Sequence, residues 1–457
     1  MFRLIAQLAS SLRTLFRGTA GAWRNRESLD LGFRVIDGEA TRRHVKLSAT
    51  QRAAHIAVLG KTGSGKSSLL RYLCSQDIAA GRGFLFFDLH GDATPFLLAT
   101  ISARERQLRR HLSDKLVLIE PADPTVSAGL NPLEQPSPDF VRIAEFAEVL
   151  RARWGLDRFG ARTDELLRNT LYALAANGLT LVELAPFLTH RGFRLACLQR
   201  VENPEVRAYF ENRYDPLSDP MQAVMREPIL NKTSAFTADP RFRHIVGQIH
   251  STFSLREAMD EGYWVIVNLD KGRLGVQALT FGSLLLTMLK NALFAREKRT
   301  LYTVYCDEIQ NFTNFHGGIE TMLSEGRKFG VGIVSANQFL DQYPPEMRAA
   351  ILATGTHVFF QLASTDAAPI AYALDGGRHL AERLKNLPHR HFILKSGAER
   401  WLEAKVPTVL MPQADATDLV NRSRSHFGRS RVLVEREIAE RRASAERKSD
   451  ELLHDWE

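Results

Sequence analysis

Short apolar runs alternate with helical periods in the first part of the chain. Residues 55–59 (HIAVL), 83–87 and 115–119 read as strands, and a leucine-rich helix opens at 66–73 between the first two. Strand, loop and helix in that alternation predict a parallel sheet covered by helices. From 138 to 256 the period changes, with helical spacing at 140–154, 163–176 and 180–188 and few strand candidates. This reads as a mostly helical insertion. The strand pattern returns at 263–269 (YWVIVNL), then come a helix at 278–296, a strand at 302–306, a helix at 318–328 and strands at 331–335, 357–361 and 391–394. The expected fold class is therefore α/β, a mostly parallel sheet interrupted by an all-helical domain. Its divisions are an amphipathic segment at 1–29, a first core part at 30–137, the insertion at 138–256, a second core part at 257–415 and a charged helical tail at 416–457.

Composition narrows the picture. A chain of 457 residues, 44% hydrophobic and 25% charged, is long enough for two or three domains sharing a large core. Its three cysteines, Cys74, Cys197 and Cys306, are far apart and lack CxxC or His-Cys spacing. Neither a disulfide framework nor a zinc site is readable, and a reducing, cytoplasmic setting is expected. The formal net charge of +8 suits a polyanionic partner, because cations that neutralise phosphates release counterions, but it suits a plain solvated surface as well.

No run of 18 apolar residues occurs, so no membrane-spanning helix is expected. The apolar stretch 279–293 contains Ser283, Lys290 and Asn291 and reads as a buried helix. Near the N-terminus, Phe2, Leu4, Ile5, Leu8, Leu12, Leu15 and Phe16 recur at helical spacing among Arg3, Arg13 and Arg17. That is an amphipathic surface helix, packed on its own domain or a neighbouring subunit, or turned to a membrane or partner. The Arg- and Glu-rich tail from 421 reads as an exposed, solvated helix rather than a partner-binding arm.

Residues Gly60, Lys61, Thr62, Gly63, Ser64, Gly65, Lys66 and Ser67 match GxxxxGK[ST] in full. The glycines let the backbone curl so that its N–H groups and the following helix N-terminus surround phosphates. Lys66 is expected to reach the β and γ phosphates and Ser67 to ligate Mg²⁺, with Ser68 counted in the same binding loop; the ligand is ATP with Mg²⁺. Such a loop needs a carboxylate at a neighbouring strand end for the metal, and hydrolysis needs a second to orient water. Asp307 and Glu308, directly after the strand at 302–306, supply both: Asp307 for Mg²⁺ and Glu308 for water.

Three further groups complete the candidates. Gln338, past the strand at 331–335, is placed to sense the γ-phosphate. Asp88, His90 and Asp92 (FFDLHGD) follow the second strand; Asp88 is read as supporting the nucleotide from behind its direct contacts and His90 as structural or interfacial. Arg327 (SEGRKFG) reaches a neighbour's γ-phosphate if subunits form a ring, or else pairs locally with Glu325 or Glu320.

The loop GKTGSGKS, the segments FFDLHGD, GLNPLE and VIVNLDKGRLG, and YCDEIQNF followed by SEGRKFGVGIVSANQFLDQ resemble, in order and spacing over about residues 30 to 400, the HerA and FtsK superfamily. These are ring-forming, DNA-pumping ATPases, and the likeness is greatest to the TraG/TraD type IV secretion coupling branch. The resemblance implies a RecA-like core, a hexameric ring, hydrolysis between subunits and DNA driven through a central channel. It also implies work with conjugation or secretion machinery or a partner nuclease. The long separation of Lys66 from Asp307 suits that branch, whose helical domain lies between the two motifs. Membrane-anchored coupling proteins carry N-terminal transmembrane helices, and HerA a β-barrel before its P-loop; neither is readable here, so a soluble, shortened relative is expected. The reading set against a DNA motor is a regulatory ATPase whose nucleotide state switches a secretion or defence assembly.

Overall fold

The computed structural model describes residues 28–134, 140–313 and 319–454. The amphipathic segment expected at 1–29 falls almost wholly outside the described residues. Eleven strands form one sheet in the order β2-β1-β12-β11-β10-β3-β9-β8-β4-β7-β5. Seven neighbours run parallel: β10 (Thr356–Phe359), β3 (Ile56–Leu59), β9 (Val331–Asn337), β8 (Tyr302–Asp307), β4 (Phe84–Asp88), β7 (Trp264–Asn268) and β5 (Leu116–Ile119). An antiparallel wing extends this block through β11 (His391–Ser396), β12 (Leu402–Lys405), β1 (Leu29–Ile36) and β2 (Glu39–Leu47).

Alternation along the central strands explains why both faces are covered. In β4, Leu85 and Phe87 enter one apolar cluster and Phe84 and Phe86 the other. Each such side chain removed from water contributes about 2 kcal/mol. The first cluster continues without a break into the insertion, where Ile143, Leu150, Leu167 and Phe187 belong to it. Among the described residues from Phe140 to Glu261 there are helices and no strand, so the all-helical insertion is present. The helix Gln277–Phe294 is buried along most of its length. At Gly282 an added Cβ would stand 2.3 Å from the Phe312 ring, which is how closely this helix approaches the segment behind Glu308.

A buried ion pair locks the P-loop helix onto the sheet. Arg52 Nη2 donates to both oxygens of Asp77 at 2.9 and 3.0 Å and to Thr303 Oγ1 at 2.9 Å. The hydroxyl of Tyr305 donates to Asp77 at 2.6 Å, so β8 and the helix Lys66–Ala80 share one polar anchor.

The reading of the tail as a solvated helix is corrected. The helix Thr417–Phe427 lies on β5, with Ser423 Oγ donating to the Leu116 carbonyl at 2.6 Å and Arg422 paired with Glu105 at 2.5 Å. The three-residue strand β13 (Gly428–Ser430) then pairs with β6 (Val126–Ala128). In the helix Arg431–His454, Val434 and Ile438 pack on Val182 of the insertion, and Arg243 and Arg441 pair with Glu435 and Glu183 at 2.9 Å each. Charges that look solvated in sequence are therefore paired across both parts of the protein. Among the described residues no helix is long and apolar enough to cross a membrane.

Candidate nucleotide site

The phosphate-binding loop leaves the end of β3 between two parallel neighbours. Gly60 N–H donates to the Asn337 carbonyl of β9 at 3.1 Å, and Lys61 N–H to the Gln361 carbonyl after β10 at 2.8 Å. Gly63 and Gly65 adopt φ of +75° and +122°, conformations that side chains disfavour. At Gly65 a Cβ would also stand 2.9 Å from the Arg390 Cα. The helix begins at Lys66 with no side-chain cap, so its first N–H groups stay open to an anion. Thr62, Gly63 and Ser67 are exposed, while Ser64 and Lys66 are buried.

Lys66 is only 8% exposed, and its Nζ donates to the carbonyls of Gly60 at 2.5 Å and Lys61 at 3.0 Å. Burial lowers its proton affinity, and the charges of Asp307 and Glu308 pull it back up. Both carboxylates leave the end of β8, one strand removed from β3, with β9 between them. Desolvation pushes the Asp307 carboxyl up to about 6; Lys66 and His90 oppose that rise, and Glu308 and Asp88 add to it. Glu308 holds a left-handed φ of +55°, fixed by its N–H donating to the Ala336 carbonyl at 2.8 Å.

The structure thus brings Lys66, Asp307, Glu308 and Gln338 to one end of the sheet. Gln338 Nε2 donates to Glu308 Oε1 at 3.1 Å, so in this arrangement it touches the glutamate. The carboxylate of Asp88 accepts from its own turn, at Gly91, Ala93 and Thr94. Arg327 stands apart: it is exposed in the turn Gly326–Phe329 that precedes β9, beyond the opposite strand ends. No ion pair with Glu320 or Glu325 forms among the described residues, and Glu325 pairs with Lys328 at 2.6 Å. Among the described residues no cluster of three His, Cys, Asp or Glu side chains is arranged around a metal position. The donors at hand, the Ser67 hydroxyl and the crowded Asp307 carboxylate, are the hard oxygens that suit Mg²⁺ with water completing its shell.

Sequence reasoning misses two contacts on the loop. His389 Nδ1 lies 2.8 Å from the Gly63 carbonyl, and Arg390 N–H donates to the Ser64 carbonyl at 2.9 Å. They come from the turn before β11, more than three hundred residues along the chain, and no local pattern marks them.

Comparison with known proteins bears on this fold. Residues 34–188 match the model of a family described as the central domain of helicase HerA. No curated protein matches the chain. Among solved structures, the plasmid coupling protein TrwB with the non-hydrolysable GTP analogue GDPNP is 16% identical, with a TM-score of 0.59 over 85% of this chain and 97% of that one. TrwB with ADP and Mg²⁺ gives 16% and 0.57 over 87% and 95%. VirB4 of Thermoanaerobacter pseudethanolicus gives 14% and 0.53 over 83% and 96%. The chain has the P-loop fold of these proteins, and residues 34–188 carry its likeness to the HerA family.

Proposed function

We propose, on the premise of this HerA- and FtsK-like fold, that the chain is an ATPase that drives DNA through a ring of its own copies, in conjugative transfer or DNA processing. One observation carries the reading. Lys66 and Asp307, from opposite sides of the helical insertion, stand closely enough at one end of the sheet that each alters the other's proton affinity, and the Glu308 charge acts on both.

In this reading the backbone amides of residues 60–67 and the Lys66 ammonium hold the phosphates of ATP. Ser67 and Asp307 hold Mg²⁺, which supplies charge neutralisation across the phosphates when bound. Glu308 accepts a proton from the attacking water and fixes its direction. Gln338, already on Glu308, links that carboxylate to the state of the γ-phosphate.

Arg327 argues for the ring. It precedes the seven-residue strand β9, whose far end carries Gln338, and such a strand spans about 20 Å. An arginine at that end reaches a γ-phosphate on another copy rather than its own. The net charge of +8 and the names of the coupling proteins that share the fold support DNA as the cargo, with secretion or conjugation machinery as partner.

Purified protein tests the proposal. Turnover of ATP that rises when DNA is added, and falls back as salt is raised, is the expected result. Hydrolysis indifferent to DNA at every salt concentration returns the chain to a nucleotide switch for a protein assembly.

A further inference from the structure

The turn after β4 is held more tightly than a connecting loop requires. Asp88, 4% exposed, spends both oxygens on its own chain. Oδ1 accepts from Gly91 N–H at 2.9 Å, and Oδ2 from the N–H groups of Ala93 and Thr94 at 3.0 and 2.7 Å and the Thr94 hydroxyl at 2.7 Å. The segment after β7 grips the turn from its other side. Leu269 N–H donates to the Asp88 carbonyl at 2.9 Å and Lys271 N–H to that of Leu89 at 2.8 Å. Gly91 has φ +78°, and a Cβ there would stand 3.3 Å from Asn268 Oδ1.

From this fixed turn the half-exposed ring of His90 brings Nε2 to 3.3 Å from Glu308 Oε2. The same oxygen accepts from Asn311 Nδ2 at 3.2 Å, and Oε1 accepts from Gln338 at 3.1 Å. Sheet order explains the arrangement. β8 lies between β9 and β4, so Glu308 is flanked by Gln338 on one side and His90 on the other, with Asn311 beneath on its own segment. An ionised carboxylate offers about four acceptor positions. Two accept hydrogen bonds, from Asn311 and Gln338, and the His90 ring stands against the same carboxylate, which narrows the directions left for water.

We propose that His90 is a positioning residue for hydrolysis: the turn DLHGD sets its imidazole against Glu308 and narrows the directions that this carboxylate offers to water. Asp88 serves the reaction through this turn and not through the nucleotide. The proposal rests on the role given above to Glu308.

The test compares His90→Ala, His90→Gln, Asp88→Asn and Glu308→Gln for ATP turnover and for affinity toward a fluorescent ATP analogue. A carboxylate displaced by about 1 Å loses on the order of a hundredfold in rate. His90→Ala is expected to lower kcat about 10- to 100-fold with nucleotide affinity unchanged. His90→Gln keeps a donor of similar reach and restores most of the turnover. Asp88→Asn lowers kcat in the same way, and adding it to His90→Ala costs little more, since both act through one contact. Parent turnover in His90→Ala, beside an inactive Glu308→Gln, overturns the proposal alone. So does a His90→Gln variant no better than alanine, or a fall in affinity matching the fall in rate. Parent turnover in Glu308→Gln overturns the role of Glu308 and this proposal with it.

Discussion

The ammonium of Lys66 donates to the Gly60 carbonyl at 2.5 Å, so the lysine closes the loop on itself in the place where phosphate oxygens would be held. Exchanging that carbonyl for a phosphate gives a charge-assisted contact of about 1.5–3 kcal/mol. Lys66→Ala is therefore expected to weaken ATP binding roughly ten- to hundredfold and to abolish turnover, as read by titration with a fluorescent analogue. Unchanged affinity would remove Lys66 from the phosphate site.

Glu308 sits at a left-handed φ of +55°, and its carboxylate faces Lys66 across the end of β9. Glu308→Gln keeps the shape and most hydrogen bonds but cannot take a proton. Nucleotide binding should persist while kcat falls about 10²- to 10⁴-fold; steady-state turnover checks it, and a parent rate refutes the assignment.

Arg327 is exposed, and Glu325 beside it is paired with Lys328. Arg327→Ala should leave stability and ATP binding intact while turnover falls about 10³-fold or more. Mixed with the parent protein, it should depress activity by more than its mole fraction. A loss merely proportional to that fraction would mean that copies do not share sites.

The Arg52–Asp77 anchor makes a prediction about stability. Asp77 is fully buried and accepts from Arg52, from Arg82 at 2.6 Å and from Tyr305. Asp77→Ala strands the Arg52 charge, which is 2% exposed, at a cost of about 3–5 kcal/mol. Denaturant unfolding should show it, and a change under 1 kcal/mol would contradict the anchor.

The pH dependence of folding carries a signature of His55. Burial pushes its imidazole from 6.5 down to about 4, partly offset by the Leu323 carbonyl and reinforced by Arg327, while Nδ1 accepts from Ile333 N–H at 3.0 Å. The unfolded chain binds this proton near pH 6.5 and the folded chain only near 4. Stability present above 6.5 is therefore lost as pH falls toward 4, by up to about 3 kcal/mol. His55→Asn tolerates the φ of +66° and should flatten the dependence between pH 6.5 and 4.5; an equal slope in the two proteins would refute it.

Much of the core is legible in the sequence because each central strand is apolar on both faces and punctuated by turns. The strand ending at Asp307 and the loop at 60–67 are local patterns, and the insertion announces itself by its period. The hairpin β1–β2 is not readable, since Thr41, Arg42, Arg43, His44 and Lys46 on an exposed edge strand look like a polar loop. The tail misleads for a related reason: Arg422, Arg424 and Glu435 carry charge, and only the fold supplies their partners Glu105, Glu120 and Arg243. His90 and His389 depend on which strands and turns become neighbours, which spacing along the chain does not encode.

The proposed ATP site is assembled from Lys66, Asp307 and Glu308. A crystal structure with Mg²⁺ and a non-hydrolysable ATP analogue tests it most directly. Phosphates are expected in the amides of residues 60–67, the metal between Ser67 and Asp307, and the Glu308 carboxylate facing the γ-phosphate. Phosphates bound elsewhere, or a Glu308 turned away from them, would contradict it.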